Sequence, residues 1–205
     1  RWKVIVNSIG LSKRKPEKIL TYGFNSTGGR NNSGRITAPR IGRRHKRKLR
    51  IVDFWRDKND VEGIVKSIEY NPFSTANIAL IYYVDGVKSY IVCPDGLTVG
   101  SKVISSDSEI SIDLGNCLVL KNIPVGTEIH NIELKPGSGA KICRSAGTFA
   151  KVVAKQDKYV TIELPSKEQR LILSTCRATI GRVSNIFHRD IKKGKAGANR
   201  WLGIR

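Results

Sequence analysis

Short β-prone runs separated by turn residues fill the middle of the chain, and this rhythm constrains the fold more than any other feature. Between residues 51 and 181, runs rich in Ile, Val and Tyr alternate with turn pairs such as Asn71-Pro72 and Asp85-Gly86. Turns recur about every 8 to 12 residues, which is typical of small barrels and sandwiches. We therefore predict a mainly β chain of two consecutive five-stranded barrels that meet near Gly115.

The predicted strands share an enrichment in β-branched and aromatic residues between turn signals. They cover residues 50–56, 61–70, 76–84, 88–92, 102–105, 116–120, 128–133, 150–155, 159–163 and 169–174. Hairpins are expected around Asp85-Gly86 and Gln156-Asp157, because a short turn pair there separates two β-prone runs. No helical periodicity of useful length occurs, and the one candidate for a short helical turn is the segment 174–181.

Net charge divides the chain into a neutral body and two cationic ends. Residues 1–50 contain fifteen Lys and Arg and one acid, residues 51–181 contain fifteen of each sign, and residues 182–205 contain seven and one. The formal net charge of +20 therefore lies entirely in the ends. We predict basic irregular extensions at residues 1–50 and 182–205, barrels at residues 51–115 and 116–181, and a polyanionic partner.

The N-terminal extension ends in the densest basic run, residues 40–50, with seven Lys and Arg in eleven positions. Such a run repels itself and should stay mobile until a counter-charge binds. The preceding segment 28–37 mixes Gly, Asn and Arg, a combination that suits shaped contact with folded RNA. A solvated basic tail or a nuclear localisation signal is the alternative. The candidate RNA-binding residues of this extension are Arg30, Asn31, Asn32, Arg35, Arg40, Arg43, Arg44, His45, Lys46, Arg47, Lys48 and Arg50.

A glycine-rich loop in the neutral body is a second candidate for RNA contact. Residues 135–148 carry Lys135, Lys141 and Arg144 on a backbone of small residues, a shape that suits an RNA groove. An ordinary surface loop between two strands is the alternative. His130 precedes this loop, and taken alone it is more typical of a core or edge histidine than of a ligand.

The C-terminal motif GKAGANRWLGIR is a third candidate. It places Lys195, Arg200 and Arg205 around small residues, with Trp201 as a flat aromatic surface. Such a ring stacks on an unpaired base, an interaction worth about 1 to 3 kcal/mol per base. A hydrophobic plug at the end of a barrel is an equal alternative for the same side chain.

Several other functions lack the residues they need. No stretch approaches the roughly 20 apolar residues of a membrane span, and no apolar signal core follows residue 1. The cysteines at positions 93, 117, 143 and 176 are too scattered for a zinc knuckle or a redox dithiol, so we expect reduced thiols and no metal. Without a catalytic or phosphate-binding motif, we predict no enzymatic activity, no cofactor and no small-molecule substrate.

Seven motifs follow one another between residues 23 and 205. They are GGRNNSGRIT, RIVDF, ANIALIYYVDG, YIVCPDGL, NIPVGTEIHNIELKPGSGAKICRSAGT, CRATIG and GKAGANRWLGIR. In this order they resemble the bacterial and organellar type of the large-subunit ribosomal protein two family. The resemblance implies an OB-fold-like barrel followed by an SH3-like barrel, both wrapped in large-subunit rRNA. It also implies RNA-facing roles for His130, Ser145 and Arg177.

The function implied by the resemblance is that of a structural constituent of the large ribosomal subunit. Such a protein binds rRNA, contacts neighbouring ribosomal proteins, and supports assembly and the architecture around the peptidyl transferase centre. The alternative is a free OB-fold translation factor or a single-stranded RNA-binding protein. In two places the chain departs from the family: Arg43 and Arg44 replace a glycine run, and the chain stops at Arg205, before a further basic extension. A separate polypeptide that supplies that extension is therefore a candidate partner.

The composition predicts the compartment. The chain contains 24 Ile, 20 Lys and 12 Asn but 10 Ala, a skew expected from an AT-rich coding sequence such as that of an organelle. Together with the early C-terminus, this favours the mitochondrial matrix, with a plastid or a bacterial cytoplasm as alternatives.

Overall fold

The computed structural model describes residues 10–204, and this part of the chain is mainly β, as predicted. Its strands are β1 (Thr21–Phe24), β2 (Arg47–Arg50), β3 (Gly63–Glu69), β4 (Ile78–Tyr83), β5 (Lys88–Val92), β6 (Lys102–Val103), β7 (Ser105–Ser106), β8 (Cys117–Val119), β9 (Glu128–His130), β10 (Ile132–Glu133), β11 (Ala140–Ile142), β12 (Ala150–Lys155), β13 (Tyr159–Glu163), β14 (Gln169–Leu173) and β15 (Arg177–Ile180). Two 3₁₀ turns lie at Leu120–Asn122 and Ile186–Asp190, and the single described α-helix, α1, is Ala196–Trp201. None of the described helices is long and apolar enough to span a membrane.

The first lobe is built on a four-stranded antiparallel sheet in the order β5-β4-β3-β6. Strand β3 alternates buried and outward residues, so that Val65 packs against Ile81 and Val103 in the core. The predicted hairpin at Asp85-Gly86 is confirmed, and it joins β4 to β5. Gly86 adopts a φ of 83° there, a conformation that most other residues avoid.

The second lobe is a curled seven-stranded sheet in the order β14-β13-β12-β9-β15-β8-β7. Its concave side encloses a fully buried core that includes Leu118, Ile129, Val152 and Ile162. The predicted hairpin at Gln156-Asp157 is confirmed as the β12–β13 turn. Two curled sheets in succession agree with the predicted OB-like and SH3-like architecture. The prediction of five strands in each is wrong, because the two sheets have four and seven strands and β7, which precedes Gly115, pairs with the second sheet.

The helical turn predicted within residues 174–181 is wrong, because Arg177–Ile180 forms β15 in the middle of the second sheet. This strand pairs with β8 on one side and with β9 on the other. Four residues carry too little periodicity to distinguish a strand from a helical turn, so the two neighbouring strands decide the conformation.

The strand predicted at residues 50–56 is also wrong. Arg50 is the last residue of β2, and after it only an isolated parallel bridge between Val52 and Tyr90 forms. The carboxylate of Asp53 accepts hydrogen bonds from the backbone N–H groups of Trp55 and Arg56, at 3.1 and 2.8 Å, and this side-chain turn ends the extended segment.

The two lobes are continuous through β7, which follows β6 directly but pairs in parallel with β8 of the second sheet. A polar network crosses the same junction. Arg56, which is buried, donates from Nε to Ser105 Oγ at 2.9 Å and from Nη2 to the Gly115 carbonyl at 3.3 Å. Arg177 donates from Nη1 to the Arg56 carbonyl at 3.1 Å. Each lobe therefore supplies hydrogen-bond partners to the other.

Candidate nucleic-acid interface

The two basic ends of the chain meet in space. The backbone N–H of Gly42 donates to the Gly203 carbonyl at 2.8 Å, and that of His45 donates to the Trp201 carbonyl at 3.3 Å. Ile41 and Ile204 form an antiparallel bridge beside them. The cationic segments that the sequence places about 160 residues apart therefore form one continuous surface.

Strand β2 holds part of the basic run in a regular conformation, whereas we predicted that the run would be mobile until a counter-charge binds. Its partner is β1, in a register that places Tyr22 opposite Leu49 and Phe24 opposite Arg47. The Phe24 ring makes an edge-on contact with Phe73, with the ring centroids 5.2 Å apart. Arg47 of β2 stacks on the same Phe73 ring, so backbone pairing with β1 and contacts with Phe73 hold this part of the basic run.

A cavity of about 460 Å³ opens beside the end of β1 and the start of β2, where the basic run enters the strand. It is lined by Phe24, Asn25, Ser26, Arg43, Arg44, His45, Lys46 and Arg47, a set without an acidic side chain. Among residues 10–204, none of the ion pairs involves a Lys or Arg between positions 30 and 50. Partial burial and the nearby charge of Arg44 lower the pKa of Arg47. The lowered pKa of Arg47 therefore reflects first the loss of solvation of its guanidinium and second the repulsion from Arg44.

The loop at residues 28–37 closes on itself. Asn31 Oδ1 accepts hydrogen bonds from the Arg35 N–H at 2.9 Å and from Ser33 Oγ at 2.8 Å, so its side chain serves the turn. Arg30, Arg35 and Asn32 remain exposed on the outside of this loop. Asn31 is exposed as well, and Arg30 Nη1 donates to the Gly28 carbonyl at 3.4 Å, so the whole loop is accessible while two of its side chains also support its shape.

The glycine-rich loop at residues 135–148 is anchored to the first lobe. The Ala140 N–H donates to the Phe54 carbonyl at 2.9 Å, and the Ala146 N–H donates to Thr75 Oγ1 at 3.0 Å. The Arg144 guanidinium stacks 3.8 Å from the centre of the Phe54 ring, and burial there lowers its pKa. Lys135 and Lys141 are exposed on either side of this anchor.

A second cavity, of about 620 Å³, lies between this loop and the first lobe. Lys141, Arg144 and Ser145 stand on one side of it, with Phe54 and Phe73 on the other. Lys141, Arg144 and Ser145 are therefore brought together at a cleft between the lobes, close to Arg47, which stacks 3.9 Å from the Phe73 ring, whereas Lys135 does not line this cleft.

Two predicted residues lie apart from the exposed basic surface. His130 is fully buried, its Nδ1 donates to the Gly181 carbonyl at 2.8 Å, and burial lowers its pKa to about 4. Arg177 is compensated by Asp107, whose Oδ1 lies 2.6 Å from Nη2. Neither side chain offers a free charge to a ligand in this conformation.

At the C-terminus, Lys195 lies with its Nζ 4.8 Å from the centre of the Trp201 ring, and Arg200 is exposed on the same short helix. Trp201 is 55% exposed and also lines a cavity of about 530 Å³ under the extension. This exposure does not match the alternative in which the Trp201 side chain is a fully buried hydrophobic plug at the end of a barrel. Arg205, the last cation of the motif, lies outside the described residues.

The residues that assemble the surface were missed from the sequence. Gly42 and Gly203 join the two ends, and Phe24, Asn25 and Ser26 line the smaller basic cavity. No spacing rule connects positions so far apart in the chain. The one available signal was the glycine at position 203 itself, since glycine often follows a helix end, and the structure gives it a φ of 81° just after α1.

Two curled β lobes that carry uncompensated cations on joined extensions define a class of protein, the basic β proteins that bind polyanions such as nucleic acids. Within residues 10–204, no group of three or more His, Cys, Asp or Glu side chains is arranged to hold a metal ion.

Comparison with known proteins identifies the family. Residues 17–105 match the family described as Ribosomal Proteins L2, RNA binding N-terminal domain, and residues 113–205 match Ribosomal Proteins L2, C-terminal domain. The chain is similar over its full length to proteins called large ribosomal subunit protein uL2. Those of Amoebophilus asiaticus, Parabacteroides distasonis and Wolbachia pipientis are 51%, 53% and 52% identical, and the match covers 74% of each. The chain belongs to the ribosomal protein L2 family.

Proposed function

We propose that this chain is a structural constituent of the large ribosomal subunit and binds large-subunit rRNA. The observation that carries the proposal is the joined basic surface, on which the cations at positions 30–50 have no acidic partner among the described residues. Phosphate contacts by the extensions supply affinity, while the rigid lobes set the position of the protein on folded RNA. In this role the protein supports subunit assembly, contacts neighbouring ribosomal proteins, and maintains the architecture around the peptidyl transferase centre.

The RNA-facing residues that we propose are the predicted ones that stay exposed or line the two basic cavities. They are Arg30, Asn31, Asn32, Arg35, Arg40, Arg43, Arg44, His45, Lys46, Arg47, Lys48, Lys135, Lys141, Arg144, Ser145, Lys195, Arg200 and Trp201. We propose that the basic extensions at residues 1–50 and 182–205 supply most of the phosphate contacts. The barrels, at residues 51–115 and 116–181, have no net charge and position the protein on the RNA.

Salt dependence of RNA binding tests the proposal. The affinity of the purified chain for in vitro transcribed bacterial large-subunit rRNA is measured by filter binding at increasing salt. We expect the logarithm of the affinity to fall by about 0.7 to 0.9 per phosphate contact for each log unit of salt. A flat salt response would contradict the proposal.

The alternative, a free OB-fold factor or single-strand binder, needs aromatic platforms on an open barrel face. Tyr83 and Tyr90 of the first lobe are buried, and the Tyr82 ring is covered by Lys88 at 5.0 Å. These three rings are covered by other parts of the protein, so they offer no open face on which a base could stack. Sedimentation at high salt separates the two functions, because a structural ribosomal protein stays with the large subunit and a factor is released.

We propose further that the chain performs no catalysis. Its four cysteines are buried free thiols, and burial raises the pKa of Cys93 to about 12. A thiol with such a pKa is protonated at neutral pH and is a poor nucleophile. Turnover of a small substrate by the purified chain would contradict this proposal.

The compartment that we propose from composition is the mitochondrial matrix, within a ribosome of the bacterial type. The relatives at 49 to 53% identity are bacterial, which supports the alternative of a bacterial cytoplasm. A coding sequence in mitochondrial DNA would support the mitochondrial matrix, one in plastid DNA would support the plastid alternative, and one in a bacterial chromosome would contradict both organelles.

A further inference from the structure

The smaller basic cavity, at Phe24–Ser26 and Arg43–Arg47, differs from an ordinary cationic surface because packing holds its arginines in place. The Arg43 side chain passes over Gly28, where an added Cβ would lie 3.0 Å from Arg43 Cγ. Arg47 stacks on Phe73 and donates to the Pro72 carbonyl. Arg47, held in this way, loses little further freedom when a ligand binds, while the exposed Arg43 side chain is restricted along its stem by the close approach to Gly28.

The C-terminal extension takes part in this arrangement. The Arg44 side chain crosses Gly203 so closely that a Cβ at position 203 would overlap its Cγ and would also lie 2.9 Å from the Gly42 carbonyl oxygen. Gly203 is itself held by the hydrogen bond from Gly42. The position of Arg44 therefore depends on a residue from the other end of the chain.

The contents of the cavity indicate the chemistry of its ligand. Four permanent cations, at positions 43, 44, 46 and 47, face about 460 Å³ without an acid, beside the Asn25 and Ser26 side chains, which can donate hydrogen bonds. Partial burial and the charge of Arg44 already lower the pKa of Arg47, so a bound anion would relieve a repulsion that exists in the free protein. Guanidinium groups match the geometry of phosphate oxygens.

We propose that this cavity is a preformed site for two consecutive phosphodiester groups of an RNA strand, with Arg43 and Arg44 as the contacting residues and Gly203 as a positioning residue. The proposal rests on the proposed function and adds that the two extensions act as one site. The C-terminal extension thus contributes through the placement of Arg44 as well as through its own charges.

Two pairs of variants test the site by filter binding to in vitro transcribed bacterial large-subunit rRNA. The first compares Arg43→Gln/Arg44→Gln with Lys158→Gln/Lys167→Gln, which removes the same charge from exposed positions of the second lobe. The second compares Gly203→Ala, which keeps every charge, with Gly197→Ala, where an added Cβ meets nothing within 4 Å. Thermal melting followed by circular dichroism verifies that each variant is folded.

We expect the arginine pair to lower the salt slope by about 1.4 to 1.8, and Gly203→Ala to lower it by about 0.7 to 0.9, with both controls unchanged. If the arginine pair leaves a steep slope intact, the site is refuted while the proposed function stands. An equal loss in the lysine pair would show a diffuse charge effect and also refute the site. A shallow slope in the unaltered chain would overturn the site together with the proposed function.

Discussion

Arginine has two different uses in this chain, and the difference lies in what each guanidinium contacts. Arg177 binds Asp107 and the Arg56 carbonyl, so it ties the lobes together. Arg44 has no acidic partner among the described residues, and it faces an open cavity. An arginine of the first kind contributes to stability, and one of the second kind is available to a phosphate.

His130 gives a prediction at the same scale. Its pKa of about 4 in the fold lies below the ordinary value of 6.5, because burial disfavours the imidazolium ion. The neutral form therefore stabilises the fold above pH 6.5, and this contribution is lost as the pH falls from 6.5 to about 4. Full loss corresponds to about 3 kcal/mol.

The variant His130→Asn isolates this effect, because an Asn amide can still donate to the Gly181 carbonyl and does not titrate. We expect the free energy of unfolding of the unaltered chain to fall more steeply between pH 6.5 and 4 than that of the variant. Urea unfolding at a series of pH values measures both. If the free energies of unfolding of the unaltered chain and of the variant change in parallel with pH, the burial of a neutral imidazole at position 130 is contradicted.

Among the elements, strand β3 shows how close packing limits a single position. Gly63 pairs with Tyr83 of β4, and an added Cβ would overlap Ile81 Cγ2 and lie 3.1 Å from Tyr83 Cδ1. Both neighbours belong to the buried core of the first lobe. The strand can approach β4 only because this residue has no side chain.

Gly63→Ala should therefore destabilise the fold by about 1 to 3 kcal/mol, through overpacking of the first-lobe core. The matched control is Gly23→Ala in β1, where an added Cβ meets nothing within 4 Å. Its effect should stay within about 0.5 kcal/mol. Denaturant unfolding measures both variants, and similar values for the two would disprove the predicted overlap.

Over the whole molecule, the junction between the lobes implies that they unfold together. Strand β7 joins the second sheet directly after β6 of the first, and Trp55 lies against Gly139 of the second lobe. A fluorescence signal from Trp55 alone, obtained after Trp2 and Trp201 are replaced by Phe, reports on this contact. It should change in the same denaturant range as the far-ultraviolet circular dichroism.

Arg177→Ala removes the bonds to Asp107 and to the Arg56 carbonyl, so it should move the Trp55 transition to lower denaturant than the dichroism transition. Arg170→Ala, whose partner is the exposed Glu168, is the control and should leave the two coincident. Two separate transitions in the unaltered chain would show that the lobes are independent.

The order of residues is enough to predict the mainly β class, both hairpins, the motifs of the family and the segregation of charge. These features depend on turn chemistry, β-propensity and composition, which are local properties. The pairing of β15 between β8 and β9 and the contact of His130 with the Gly181 carbonyl emerged only in the tertiary structure, because each depends on neighbours that are distant in sequence. The burial of His130 confirms the core position that the sequence favoured for this residue taken alone. The side-chain turn at Asp53 is local, because its partners are Trp55 and Arg56, and it was missed as turn chemistry within a β-prone run.

The joined extensions are the clearest case of that dependence. Counting charges assigns a basic character to each end, but only the contact of Gly42 with Gly203 makes the two ends one surface. The physical reason is that electrostatic attraction for RNA follows the summed charge of a segment, whereas a phosphate site requires guanidinium groups at fixed separations. The placement of Arg44 depends on backbone packing against Gly203, a residue about 160 positions away in the chain.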